Sequence, residues 1–244
     1  MRVITVVSFL FFAAISALGQ AQNAKLKISH LTGDFYVYTT YNDYKGTPYP
    51  ANGLYVVTNA GVVMIDCPWD STQNQPLLDS IKAKHHKEVV MVIATHSHED
   101  RTGGLDFLRS KGVKTYTSKK TDDISKITGQ QRAEFLITKD TLFTIGQHQF
   151  QTYYGGEGHT PDNIVIWFED AKVLYGGCLV KSTEAYHLGN LADANVAAWT
   201  ATIKNIQQKF GPPQYVIPGH ESWKSKRALQ HTLRLIKTEL QKKT

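Results

Sequence analysis

Apolar residues in this chain come in short runs rich in β-branched and aromatic side chains, each stopped by a polar or turn-forming segment. That pattern predicts strands. Phe35-Tyr36-Val37-Tyr38-Thr39-Thr40, residues 53–58, residues 61–66 and Val89-Val90-Met91-Val92-Ile93-Ala94 are of this kind. Between the first two lies the stretch 41–51, rich in Tyr, Gly and Pro, which predicts an exposed hairpin flap with aromatics able to cover a ligand. Helical spacing follows. Leu77, Leu78 and Ile81 share one face of a segment over about 72–86, whose last residues, His85 and His86, read as surface residues at a helix C-terminus. Residues 102–110 predict a short helix with Leu105 and Leu108 inward, ending near Gly112.

The second half repeats the design. A strand is predicted around 113–117, polar short helices to about Phe135, paired strands over 140–154, and a hairpin of 163–169 with 172–178. Val196, Trp199, Ile203, Ile206 and Phe210 follow 3, 4, 3, 4 spacing behind a cap at Asn195, and Gly211 stops the helix. A strand at 214–218 and a last helix with Leu229, Leu233, Ile236 and Leu240 inward complete the order. Strands followed by helices, twice over, predict an α/β architecture of two sheets with helices outside.

The N-terminus is set apart from this pattern. Arg2, the apolar stretch 3–17 and the small-residue site Ala17-Leu18-Gly19 predict a secretory leader over 1–19, too short for a membrane anchor. The remainder, 20–244, is expected to be one domain in the periplasm, with no membrane attachment once the leader is cleaved. At 41% hydrophobic and 20% charged over 244 residues, the composition is globular. A formal charge of +6 is spread along the chain with mild clusters at 82–87 and 224–243, the pattern of solvated helix faces rather than a nucleic-acid patch.

Candidate chemistry concentrates where strands end. His96-Ser97-His98-Glu99-Asp100 follows directly on the apolar run 89–94, and His-x-His spacing lets two imidazoles reach one cation about 2 Å away, with Asp100 offering an oxygen to a neighbouring one. Three further donors sit beside small or kinking residues at strand edges: His159 after Gly158, Cys178 after Gly176-Gly177, and His220 after Pro218-Gly219. Six ligands are enough for two metals. The chain has two cysteines, Cys67 and Cys178, and export leaves open a disulfide between them. Cys178 at a strand end reads better as a thiolate ligand; Cys67 has no assigned role.

His96-x-His98-x-Asp100, His159, Cys178 and His220, in that order, resemble the zinc ligands of the metallo-β-lactamases, specifically the subclass with a three-histidine site and an Asp-Cys-His site. The similarity runs from about Asp34 to the C-terminal helix. It implies an αββα sandwich, two mixed sheets packed face to face with helices outside, and a metal cleft at one edge. It also implies two Zn2+ per monomer, the first on His96, His98 and His159 and the second on Asp100, Cys178 and His220. Lys181 matches the family's residue for the substrate carboxylate and Asn190 its residue near the lactam carbonyl. The function implied is hydrolysis of the β-lactam amide of penicillins, cephalosporins and carbapenems by a metal-bound hydroxide, conferring antibiotic resistance. Asp100 orients the attack and Asn190 stabilises the oxyanion. Arg101 is expected to hold the loop beneath the metals. Partners are then small β-lactams, with no nucleic acid and a monomeric state. Two alternatives stay open: a thioesterase or nuclease of the same broad superfamily, whose relatives carry His after the motif aspartate and a bridging Asp where this chain has Arg101 and Cys178, and a zinc-buffering protein without catalysis.

Overall fold

The apolar runs assemble into two sheets, described over residues 26–242 of a computed structural model; the leader expected over 1–19 lies outside the described residues. The first sheet has seven strands in sequence order: β1 (Leu26–Thr32), β2 (Phe35–Tyr44), β3 (Thr47–Thr58), β4 (Gly61–Ile65), β5 (Val89–Ala94), β6 (Lys114–Ser118) and β7 (Phe135–Ile137). It is antiparallel from β1 to β4 and parallel from β4 to β7. The second has five: β8 (Leu142–Ile145), β9 (His148–Tyr153), β10 (Val165–Phe168), β11 (Val173–Gly177) and β12 (Tyr215–Pro218), in the order β12-β11-β10-β9-β8. Only β11 and β12 run parallel there.

Alternation along each strand divides side chains between two layers. In β4, Val63 and Ile65 enter the core between the sheets, while Val62 and Met64 face outward into a helix layer. The inner core joins Val37, Leu54 and Ile93 of the first sheet to Ile166, Phe168 and Ile217 of the second. Outside the first sheet, α1 (Asn74–His85) and α3 (Leu105–Ser110) bury Leu77, Ile81, Leu105 and Leu108. Outside the second, α5 (Val196–Lys209) and α6 (Ala228–Gln241) bury Trp199, Ile203, Ile206, Leu229 and Ile236. Each such side chain contributes about 1.5–3 kcal/mol through burial. Because β4 is buried on both faces, it reads as a continuous apolar run rather than an alternating one. The helices α2 (Glu99–Thr102) and α4 (Lys119–Thr128) complete the set.

The hairpin flap expected over 41–51 is present: β2 and β3 pair out to Tyr44↔Thr47, and Lys45-Gly46, at φ +55° and +79°, make the reversal. Other local expectations are corrected. The helix expected over 102–110 divides at Gly103-Gly104, where ψ opens to −10° and −1°, and Gly104 has no room for a side chain, since a Cβ there would lie 2.5 Å from Asn74 Oδ1 and 2.9 Å from Cys67 Cβ. Leu240 stands 38% exposed, since α6 runs past the edge of the sheet-facing core. His85 is not a free surface residue. Its Nε2 lies 3.0 Å from the Tyr55 hydroxyl and its ring meets Tyr36 edge-on at 4.8 Å. Strands β1 and β7 carry no clear period, being half-exposed and only three residues long respectively, and were not predicted.

Candidate metal centre

The ligand candidates meet because the topology brings four chain segments to one end of the two sheets. β11 and β12 are parallel, so Cys178 and His220, which follow them, emerge together; β10 is antiparallel to β11, so His159, which precedes β10, lies at that same end. β5 of the other sheet delivers His96. Asp66, just past β4, locks the start of that loop by accepting from Thr95 N at 2.7 Å and Thr95 Oγ1 at 3.0 Å. Asp162 holds the next residue, accepting from Ser97 N at 2.8 Å.

His96, His98 and His159 form a triangle of near-perpendicular rings with centroids 4.9, 5.1 and 5.0 Å apart. One nitrogen from each lies within 4.8 Å of the others. His96 and His159 are buried, and His96 Nε2 and His159 Nδ1 have no hydrogen-bond partner. A buried polar atom left in that state costs about 1–3 kcal/mol. Burial, reinforced by the neighbouring histidines and Lys181, holds both imidazoles well below the usual histidine pKa, hence neutral with a lone pair to offer. His98 Nε2 lies 2.9 Å from Asp193 Oδ2, and a carboxylate only accepts, so Nε2 carries the hydrogen and Nδ1 is left as donor to a metal. Three imidazole nitrogens within 4.8 Å of one another fit zinc.

A second group stands beside the first. His96, Asp100 and Cys178 offer atoms within 4.8 Å of one another, and His220 Nε2 is 3.1 Å from Asp100 Oδ2 and 3.2 Å from Cys178 Sγ. The Pro50 carbonyl, 2.8 Å from His220 Nδ1, fixes the hydrogen there and turns Nε2 inward. Burial opposes charge on His220, but Cys178 and Asp100 outweigh it and lift its pKa to about 9. Burial also works against Asp100, yet Arg101, with His220, draws its carboxyl well below the usual range. A Cβ at Gly219 would stand 2.6 Å from Cys178 N and 2.7 Å from its sulfur, so glycine is what lets the ends of β11 and β12 approach. Carboxylate, thiol and imidazole in one cluster suit a second borderline-soft cation.

Arg101 lies against the second group, fully buried. Its Nη2 donates to Asp100 Oδ2 (2.8 Å), Cys178 Sγ (3.0 Å) and Gly219 O (2.9 Å), and its Nη1 to Asn52 O (2.8 Å) and Asp66 Oδ2 (3.3 Å). That matches its expected place under the loop. Asp66, Tyr175, Asp162 and Asp193 were missed, being single residues in no recurrent spacing. Tyr175 donates to Asp66 Oδ2 at 2.7 Å from inside a strand where it reads as plain core.

A cleft of about 690 Å³ opens above the ligands. Tyr44 and Tyr49 of the flap line it, with Trp69, Lys181 and Asn190. Lys181 is 9% exposed, and its Nζ sits 5.3 Å from the centre of the Trp199 ring. Burial lowers its pKa, with Cys178 and Asp100 opposing. Asn190 Oδ1 accepts from Ala192 N at 3.1 Å, which leaves its NH2 group as a donor. All eight residues expected at the site therefore line or underlie one cleft.

A profile described as the metallo-beta-lactamase superfamily matches residues 46–220. The metallo-beta-lactamase type 2 of Elizabethkingia meningoseptica is 46% identical over 228 residues, 93% of this chain and 91% of that protein. This chain belongs to the metallo-beta-lactamase superfamily. Metallo-beta-lactamase IND-1 of Chryseobacterium indologenes is 42% identical over 84% of this chain and 86% of its own length. Among solved structures, metallo-beta-lactamase IND-7 superposes with a TM-score of 0.85 at 41% identity, covering 88% of this chain and 100% of that one. The metallo-beta-lactamase from Pontibacter korlensis gives 0.84 at 35%, over 87% and 99%. The αββα sandwich expected from the ligand order is thus the metallo-beta-lactamase fold.

In this superfamily member both cysteines are free and buried, so the disulfide alternative gives way. Two thiols are expected to titrate in denatured, metal-stripped protein kept free of reductant. In the native chain Cys67, whose thiol burial pushes up strongly, should stay unreactive whether or not zinc is present. Absence of titratable thiol after denaturation is the result that restores the disulfide.

Proposed function

We propose that this chain hydrolyses the amide bond of β-lactams, including penicillins, cephalosporins and carbapenems, using two zinc ions per chain, and so confers resistance to them. The observation that carries the reading is the convergence of six ligand-type side chains, two with buried unpartnered nitrogens, on a cleft that also presents a cation and an amide donor. His96, His98 and His159 hold the first ion; Asp100, Cys178 and His220 hold the second. Zinc in such ligand sets lowers the pKa of a bound water to about 7 and polarises a carbonyl.

The chain's own residues supply the rest. Lys181 Nζ binds the carboxylate these drugs carry, as a compact cation with no hydrogen bond in competition. Asn190 Nδ2 donates to the lactam oxygen as it gains charge. Asp100 stays ionised beside Arg101, which donates to its Oδ2, and the carboxylate would both hold the second ion and accept a hydrogen from the attacking water. Tyr44, Tyr49 and Trp69 cover the bound ring and exclude bulk water. The leader pattern supports export of a single domain, 20–244, to the periplasm, acting there as a monomer.

The test is carbapenem hydrolysis by the purified mature protein, followed by absorbance loss, with chelator and then with zinc restored. Turnover abolished by the chelator and rescued by zinc is expected. A protein that holds about two zinc ions and leaves lactams intact would be a zinc-binding relative without this activity, and thioesters and phosphodiesters are the next substrates to try.

A further inference from the structure

The flap strand β3 is sewn to the segment 218–221 that carries His220. Asn52 N donates to Gly219 O at 2.8 Å, and Asn52 Nδ2 donates to Pro218 O at 3.0 Å and Glu221 O at 2.8 Å. Ala51 bridges to His220, and the Pro50 carbonyl fixes the His220 ring through Nδ1. The seam ends at Tyr49. Its ring lies 5.2 Å from the His220 ring at 33°, and its hydroxyl donates to Glu221 Oε1 at 3.2 Å, so one side chain spans the imidazole and grips the next residue. Beyond it, Pro48 and Thr47 pair only with Asp43 and Tyr44 of β2. Glu221 is held at φ +60°, a conformation side chains other than glycine rarely keep without outside support.

We propose that the Tyr49–Glu221 clasp couples the flap to the site of Asp100, Cys178 and His220, with Tyr49 as a positioning residue, so that zinc retention there and flap position are one equilibrium. This rests on the reading of His220 as a zinc ligand. A flap that swings past Tyr49 must break the hydroxyl bond to Glu221, lift the ring from His220 and draw Pro50 with it. Nε2 then leaves the line it shares with Asp100 and Cys178. Coupling between sites is reciprocal, so zinc held by His220 stiffens the flap by the same factor that a seated flap tightens zinc. Pro48 and Pro50 flank Tyr49 and restrict the backbone on both sides, which favours motion of the segment as a unit.

The experiment uses the full mature chain and two readouts besides turnover. Zinc affinity is measured by competition with a chromophoric chelator for wild type, Tyr49→Phe, Glu221→Ala and the double variant. Each single change is expected to weaken the second zinc equivalent by about 5- to 10-fold and leave the first unchanged, with the double no weaker than either single. Trypsin cleavage after the exposed Lys45 reports the flap. In wild type it should slow when the second zinc binds, and in Tyr49→Phe that protection should disappear. Wild-type affinity in both variants, additive losses, or equal protection in Tyr49→Phe overturns the coupling. A wild-type chain that binds a single zinc overturns the ligand reading itself, so the two failures are told apart.

Discussion

Arg101→Leu is expected to lower the stability of the metal-free protein by about 3–5 kcal/mol, because it strands buried acids without their cation. In a chain of this size that is a fall of roughly 6–20 °C in melting temperature. Asp66 is fully buried and Asp100 is 8% exposed, and Arg101 bonds to both. Burial already raises Asp66, with Arg101, Tyr175 and Thr95 opposing. Arg101→Lys should recover little, since an ammonium cannot reach from Asn52 O and Asp66 on one side to Asp100 and Gly219 O on the other as the guanidinium fork does. The pH dependence has a sign. Asp100 has a folded pKa below its unfolded one, so the stability it lends is present above the ordinary carboxylate pKa of the unfolded chain and lost as pH falls through the folded value. Without Arg101 that depression shrinks, and Asp66 rises further, so the deficit of the variant should be largest near neutrality and narrow in acid. Urea midpoints for metal-free wild type and variant at neutral and acidic pH measure it. A loss under about 1 kcal/mol at neutral pH would mean the acids are not ionised in the fold.

How far the sequence could be read follows from how many residues share a signal. His96, His98 and Asp100 were visible because they follow an apolar strand at fixed spacing, and α5 was visible because its apolar stripe recurs through several turns. Asp66 and Tyr175 were not, because their roles arise where two sheets face each other across more than a hundred residues of chain. His85 misled for a related reason. A histidine in the last turn of a helix has a sufficient local explanation, and its bond to Tyr55 of β3 is tertiary. The flap was recognised as a hairpin by its composition, but the length of its strands was not, since Pro48 and Pro50 count against a strand in isolation and are tolerated here in a two-stranded projection. Arg101 was placed correctly because the adjacent metal motif limits what a neighbouring cation can do.

His96→Ala separates the metal role of a buried residue from its packing role. Hydrolysis is expected to fall by about 1000-fold or more in kcat/KM, since the three-histidine group loses a candidate ligand that also lies within reach of Asp100 and Cys178. Stability should respond differently. In the metal-free chain, removing the imidazole creates a cavity, which destabilises, but it also removes a buried nitrogen without a partner, whose presence costs about 1–3 kcal/mol. A core truncation of this kind costs about 2–5 kcal/mol and the relieved nitrogen returns about 1–3, so the net loss should be only about 1–2 kcal/mol. With zinc at about 1000 times its dissociation constant, wild type gains about 4 kcal/mol from binding, and the variant should lose most of that. Melting curves of both proteins, with chelator and with zinc, decide the matter. Equal destabilisation with and without metal would make His96 a packing residue, whereas a gap that opens on adding zinc means that the fold carries an uncompensated nitrogen in order to bind the ion.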